Sequence, residues 1–163
     1  MPADGHPDQT APDWEYLIAH HFPNRYSRTL VARIGTRAFH FCARCTGELC
    51  GFSLYLSLFL AQPWFAMVGS TALVAGILGV CPAAALIDWL TQTVRLREST
   101  NPIRVASGAL LGIAFAGLLA FAVVGNWTLF GLGLAVLGLY LVVALAVLYR
   151  TGTWRRVMAE HFP

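Results

Sequence analysis

The chain has few charged residues, and it has no lysine at all. Only 12% of its 163 residues are charged and 57% are hydrophobic, whereas typical soluble domains carry about 25% charged residues. No charged residue occurs from Leu49 to Ile87 or from Val105 to Tyr149. This composition excludes an ordinary soluble domain and predicts a membrane protein.

Each uncharged stretch is long enough for two spans, because one membrane-spanning helix needs about 20 apolar residues. A polar break lies near the middle of each stretch, at Gln62-Pro63-Trp64 and at Gly125-Asn126-Trp127. We therefore predict an all-α membrane protein with four transmembrane helices in two hairpins. The predicted spans are residues 45–62, 64–90, 104–125 and 127–149.

The basic residues predict how the helices are oriented. All 11 are arginines, and they lie at residues 25–44, 95–104 and 150–156, whereas the two hairpin tips have none. Because positive charge is retained on the cytoplasmic side, we expect both termini and the central loop to be cytoplasmic. The net charge of +3 reflects this bias, so we expect a lipid bilayer and no nucleic acid as partner.

The N-terminal residues lack an apolar core, so we expect no signal peptide there. Residues 1–12 are predicted to be a disordered tail, and residues 13–44 a cytoplasmic or interfacial region that contains part of a Cys/His site. Within that region we expect a short interfacial helix over 13–22 and a small β-hairpin over 28–41. The four-helix domain follows at 45–149, and residues 150–163 form a cytoplasmic tail.

Small residues on the predicted spans indicate where helices pack closely. Gly108 and Gly112 form a GxxxG pair, which lets two helices approach each other in lipid. The pairs Ala75/Gly79 and Gly131/Ala135 have the same spacing, and we predict packing contacts there as well.

Cys42 and Cys45 have the spacing of two metal ligands or of a redox pair. A zinc site needs four ligands, and His20, His21 and His40 are the candidates to complete it. Such a site would fasten the short N-terminal region to the helices. A redox pair and plain packing thiols are the alternatives, although a reducing cytoplasm disfavours a stable disulfide.

Three acidic residues at the predicted cytoplasmic face are candidate acid/base groups: Glu48, Asp88 and Glu98. A carboxylate within a membrane helix is costly and is therefore a functional candidate. An alternative for Asp88 is a structural ion pair with Arg95 or Arg104 near the interface.

The segment before the third predicted span suggests an anion site. Ser99, Thr100 and Asn101 suit the N-cap of a helix that has Pro102 in its first turn. A helix N-terminus beside an arginine binds anions well. We predict that an anionic headgroup or phosphate is bound there by four residues: Arg44, Gln92, Asn101 and Arg104.

Together these motifs resemble a family of small membrane proteins known as domain of unknown function 2085, over about residues 16–125. The resemblance rests on His20-x-x-Pro23-x-Arg25, Cys42-Ala43-Arg44-Cys45-Thr46-Gly47, Asp88-x-x-Thr91-Gln92, and Arg97-Glu98-Ser99-Thr100-Asn101 with Arg104. The family pattern often has a cysteine where this chain has Ala19, which disfavours a third thiolate ligand and makes His20 or His21 more important. The resemblance implies membership and membrane location, and it supplies no activity.

Three functional hypotheses follow. The leading one is a membrane-embedded enzyme or lipid-binding protein with a cytoplasmic zinc site, which binds or acts on an anionic lipid or another phosphate-containing molecule. The second is a small transporter or channel subunit, a homo-oligomer, with Asp88 and Glu48 on an ion path. The third is a thiol–quinone oxidoreductase in which Cys42 and Cys45 cycle.

Overall fold

The computed structural model describes residues 28–35, 37–61 and 71–155 of the chain. It is mostly helical, with one two-stranded sheet at its start. The elements are β1 Thr29–Ile34, β2 Arg37–Cys42, α1 Ala43–Ala61, α2 Thr71–Ala75, α3 Cys81–Thr93, α4 Asn101–Val123 and α5 Trp127–Arg150. A π-helical turn, Gly76–Val80, joins α2 to α3.

The two strands form the predicted β-hairpin and continue directly into α1. They pair antiparallel, with Thr29 opposite Cys42 and Ile34 opposite Arg37. Gly35 follows β1 with a φ of 62°, a conformation that glycine adopts easily in tight turns. Cys42 therefore lies at the junction between the hairpin and the first helix. The predicted helix over 13–22 falls outside the described residues.

Three helical segments are long and apolar enough to cross a membrane: Leu73–Thr93, Asn101–Val123 and Trp127–Arg150. They correspond to the second, third and fourth predicted spans. The first predicted span is also helical, as α1, but it begins with the charged residues Arg44 and Glu48 and is not among the three. A count of four spans, their arrangement as two hairpins and the cytoplasmic location of the termini therefore stay predictions.

A turn lies between α4 and α5, at the second predicted polar break. Gly125 has a φ of 74°, and the side chain of Asn126 accepts a hydrogen bond from the backbone N–H of Leu129 at 3.2 Å. Asn126 thus caps α5, because its side chain satisfies one of the free donors of the first turn. The first predicted tip, at 62–64, lies outside the described residues.

The second span is irregular just before Pro82. The π-helical turn Gly76–Val80 lies there, and such turns insert an extra residue into a helix. The hydroxyl of Tyr140 on α5 donates a hydrogen bond of 2.8 Å to the carbonyl of Gly79. The irregular turn is therefore tied to α5 by a polar contact in an otherwise apolar region.

Helices α1 and α4 approach each other so closely that only glycine fits at the crossing. The predicted pair Gly108/Gly112 on α4 meets a second pair on α1, Gly47/Gly51, that the sequence analysis missed. A Cβ atom at any of the four would collide with backbone of the facing helix, at Arg44, Glu48, Val105 or Ala109. The prediction of close packing at Gly108/Gly112 is confirmed.

At the glycines of the other two predicted small-residue pairs, the described residues show no such close approach by a helix backbone. A Cβ added at Gly79 or Gly131 would meet no atom of the described residues within 4 Å. Small residues are common in membrane helices, so this spacing alone does not identify an interface.

The apolar core and the polar residues lie at opposite ends of the helices. Tyr55 and Phe59 in the C-terminal half of α1 pack with Phe121 near the end of α4. At the other end, α1 begins, α3 ends and α4 begins, and this end carries the candidate site. We call it the polar end of the bundle.

Candidate functional site

Asp88 is the centre of the polar end. It lies on α3 with 2% of its surface exposed. Its Oδ2 accepts hydrogen bonds from Nη2 of Arg44, at 2.6 Å, and from Oγ of Ser107, at 3.1 Å. Its Oδ1 accepts one from Nη2 of Arg97, at 2.9 Å. One carboxylate thus joins α1, α4 and the loop after α3.

These partners differ from the predicted ones. The interpretation of Asp88 as paired with Arg95 or Arg104 is wrong, since its ion pairs are with Arg44 and Arg97. Arg95 has a φ of 61° in the turn that ends α3, and this turn reverses the chain so that Arg97 folds back. The Nε of Arg97 also donates to the Thr91 hydroxyl at 3.1 Å, which fixes the position of its side chain.

Arg104 is the second buried charge at this end, with 7% of its surface exposed. Its Nε donates to Oε1 of Gln92 at 3.2 Å, and its Nη1 donates to Oδ1 of Asn101 at 3.1 Å. Gln92 in turn donates from Nε2 to the backbone carbonyl of Asp88 at 2.8 Å. Two neutral amides therefore hold the guanidinium in a fixed orientation.

The same network extends to the hairpin. Nδ2 of Asn101 donates to the backbone carbonyl of Thr29 at 3.1 Å, and the Thr29 hydroxyl is 3.0 Å from Nδ1 of His40. Thr29 is buried. The side chain of Asn101 is thus used for tertiary contacts, and Thr100, the N-cap of α4, makes no side-chain capping bond. The predicted N-cap at this segment, with Pro102 in the first turn of α4, is confirmed, although the N-cap side chain makes no capping bond.

Positive charge exceeds negative charge in this network. Arg44, Arg97 and Arg104, which we call the arginine cluster, surround one buried carboxylate. No carboxylate of the described residues lies within 4.0 Å of Arg104. Arg28 and Arg44 repel the positive charge of Arg104, whereas Asp88 and Glu98 attract it.

Arg44 also has a hydrogen-bonding group that is not satisfied. Its Nε is buried and has no hydrogen-bond partner among the described residues. About a quarter of the side chain, 25%, is still exposed. An unpaired buried donor of this kind is uncommon in proteins and calls for an explanation, such as a bound ion.

The remaining acidic candidates lie away from this centre. Glu98 is exposed on the loop, and Glu48 is half-buried on α1. Among the described residues, no arginine comes within ion-pair distance of either carboxylate. Of the three predicted acid/base groups, only Asp88 lies in the network, and both of its oxygens are occupied by arginines.

The cysteine pair lies at the start of α1. Cys42 is buried and Cys45 is exposed, neither forms a disulfide, and the two thiols lie close enough to influence each other electrostatically. Across the described ranges, no group of three His, Cys, Asp or Glu side chains is arranged to hold a metal ion. His20 and His21 lie outside those ranges, and Nδ1 of His40 is engaged with Thr29. The zinc site therefore stays a prediction.

The sequence analysis missed Ser107 as a member of the site. It is the first hydroxyl inside the long uncharged stretch and lies three residues after Arg104, so both face the same side of α4. That spacing was the signal that could have identified it.

Residues 24–118 match the model of the family DUF2085, which is described as a predicted membrane protein. The match covers more than half of the chain. The chain belongs to this family. The matched residues contain the hairpin, the cysteine pair and the whole arginine cluster, and they end before α5. No curated protein and no solved structure matches the chain.

Proposed function

We propose that this membrane protein binds an anionic group, the phosphate of a lipid headgroup, at the arginine cluster. The observation that carries the proposal is the burial of Arg104 without a carboxylate within 4.0 Å among the described residues. Burying an unpaired charge away from water costs roughly several kcal/mol of free energy. A partner of opposite charge offsets much of that cost. A bound anion would supply the missing negative charge.

The geometry of Arg104 suits this role. Gln92 and Asn101 hold its Nε and Nη1, and the described residues provide no partner for Nη2. A guanidinium that neutral amides orient in advance loses little freedom when a phosphate binds.

The position of the cluster favours a lipid as the source of the phosphate. It lies at the end where the candidate spans Leu73–Thr93 and Asn101–Val123 meet the polar loop between them. If both spans cross the bilayer, headgroups lie at this depth, where arginines commonly contact anionic lipids. A free phosphate has the same chemistry, so the experiment must separate the two sources.

We expect selective stabilisation by an anionic lipid. The full-length protein in a neutral detergent would be unfolded by heat with phosphatidylglycerol or with phosphatidylcholine of identical chains, whose choline cancels the charge of its phosphate. At a lipid concentration of about 100 times Kd, a specific ligand adds about 2.7 kcal/mol to the free energy of unfolding. Phosphatidylglycerol should raise Tm more than phosphatidylcholine, and Arg104→Gln should remove most of that difference.

The matched control is Arg150→Gln, which removes one exposed arginine outside the cluster. It should keep the difference between the two lipids. For each variant, Tm in one lipid is compared with Tm of the same variant in the other lipid. A general loss of stability in Arg104→Gln therefore cancels from the difference. Glycerol phosphate, which carries the phosphate without acyl chains, tests whether a free anion alone raises Tm. Equal stabilisation by the two lipids in the unchanged protein would contradict the proposal.

The predicted zinc site is a separate proposal, supported by the adjacent thiols of Cys42 and Cys45 at the start of α1. His20, with His21 or His40, would supply the further ligands. We expect about one zinc per chain in the purified protein, and its loss in Cys42→Ser and Cys45→Ser, because thiolates are strong zinc ligands. Cys50→Ser is the control. Protein that contains no zinc before any substitution would rule the site out.

The transporter and thiol–quinone hypotheses stay predictions. The two arginines bound to Asp88 give that carboxylate a structural role, which reduces the support for an ion path through it.

A further inference from the structure

An apolar cavity of about 410 Å³ lies beside the arginine cluster. Its walls come mainly from α3 and α5, including Pro82, Ala85, Leu137 and Ala144. The volume is within the range of about 300–1,000 Å³ that ligand pockets occupy. Of the described residues that line the cavity, Arg44 is the one with a charge.

The cavity is elongated along α5. Its lining on that helix runs from Leu137 to Leu148, which corresponds to about 16 Å at 1.5 Å per residue. Half of the hydrocarbon core of a bilayer is about 15 Å. The cavity therefore extends from the polar end to about the depth of one lipid leaflet.

We propose that this cavity holds an acyl chain of an anionic lipid whose headgroup phosphate is bound by Arg44. This inference rests on the anion site proposed above and identifies its ligand as an amphiphile. The charge of Arg44 is complementary to the headgroup phosphate, and the apolar walls are complementary to the acyl chain. The two parts of the site follow each other along the membrane normal in the same order as the two parts of the lipid.

Two features of the polar end support a headgroup there. Arg44 has an unpaired Nε and a partly exposed side chain, although its Nη2 is held by Asp88. Trp89 and Trp154 line the cavity at the same end, and tryptophan is favoured at the boundary between headgroups and acyl chains. A zwitterionic lipid such as phosphatidylcholine would fill the apolar part, but its choline cation would offset the phosphate charge that Arg44 attracts.

The test uses phosphatidylglycerol with brominated acyl chains, because bromine quenches the fluorescence of a tryptophan that it contacts. The full-length protein in neutral detergent would be titrated with this lipid. We expect quenching that saturates near one lipid per chain and falls at least twofold in Trp89→Phe. Trp127→Phe, at the other end of α5, is the control and should keep the saturable part.

A second variant fills the cavity. Ala144 is 7% exposed and lines it, so Ala144→Leu should weaken binding of the brominated lipid about tenfold or more. Ala135→Leu makes the same change at an exposed position of α5 and should have no effect. If Ala144→Leu fails to fold, Ala85→Leu on the facing wall replaces it. The quenching experiment with Trp89→Phe does not depend on either of these variants.

The outcomes separate the two proposals. If brominated phosphatidylglycerol and phosphatidylcholine bind equally, the anion site is wrong and this inference falls with it. If phosphatidylglycerol is preferred through Arg104 but no saturable quenching depends on Trp89, the anion site holds and the cavity does not take the chain. A change in oligomeric mass in Ala144→Leu, with lipid binding unchanged, would show that a second copy of the protein fills the cavity and would overturn the inference.

Discussion

Asp88→Asn is expected to lower the free energy of unfolding by about 3–5 kcal/mol, the usual effect of removing one partner of a buried ion pair. The carboxylate accepts hydrogen bonds from Arg44, Arg97 and Ser107, and it is 2% exposed. Asparagine has the same shape but no charge, so two arginines would lose their counter-ion. The measurement is thermal or denaturant unfolding in detergent.

Glu98→Gln provides the matched control, since Glu98 is an exposed carboxylate near the same end with no ion pair among the described residues. It should change stability by less than about 0.5 kcal/mol, as surface substitutions usually do. Combining Asp88→Asn with Arg44→Gln should cost less than the sum of the two single changes, because the unpaired charge is removed as well. An Asp88→Asn protein as stable as the Glu98→Gln protein would show that the pairs contribute nothing. If that stable protein also lost ion flux in vesicles, the transporter hypothesis would gain support.

The sequence predicts that the polar residues lie together at one end of the helices, because the long hydrophobic stretches confine them to the ends of the spans. The uncharged stretches are bounded by Glu48, Asp88 and Arg104. If each stretch enters and leaves the membrane on the same side, these residues must lie at similar depth. The structure places Arg44, Asp88 and Arg104 in one network.

The individual partners could not be predicted, since arginine side chains are long and their reach depends on the backbone of the loop. The positive φ of Arg95 decides that Arg97 reaches Asp88, and nothing in the residue types indicates it. In the same way, Asn101 could cap α4 or bind the hairpin, and both fit its chemistry. Only the position of Thr29 against α4 selects the second.

The glycine pattern shows a similar limit. Gly108/Gly112 and Gly131/Ala135 have equivalent spacing, yet a Cβ at Gly108 or Gly112 would collide with α1, whereas one at Gly131 would meet no described atom within 4 Å. What distinguishes the first pair is a second glycine pair, Gly47/Gly51, on the helix that it crosses. Matching pairs on two helices are therefore a stronger signal than either pair alone.

Gly112→Ala is expected to destabilise the protein by about 3 kcal/mol, at the upper end of the range for overpacking. The added Cβ would collide with the backbone carbonyl of Glu48 and lie 2.8 Å from the backbone nitrogen of Phe52. Because these are backbone atoms, no side-chain rotation can relieve the contact, and α1 must move away from α4. Unfolding in detergent measures the loss.

Gly138→Ala is the control, since a Cβ at Gly138 on α5 would meet no described atom within 4 Å. It should leave stability unchanged or raise it slightly, because alanine favours a helix over glycine by about 1 kcal/mol. If Gly112→Ala were as stable as Gly138→Ala, the close crossing would be wrong.

The crossing also positions the site, since a Cβ at Gly108 would collide with the backbone carbonyl of Arg44, which holds Asp88. Gly108→Ala should therefore reduce the preference for phosphatidylglycerol as well as stability, whereas Gly138→Ala should change neither.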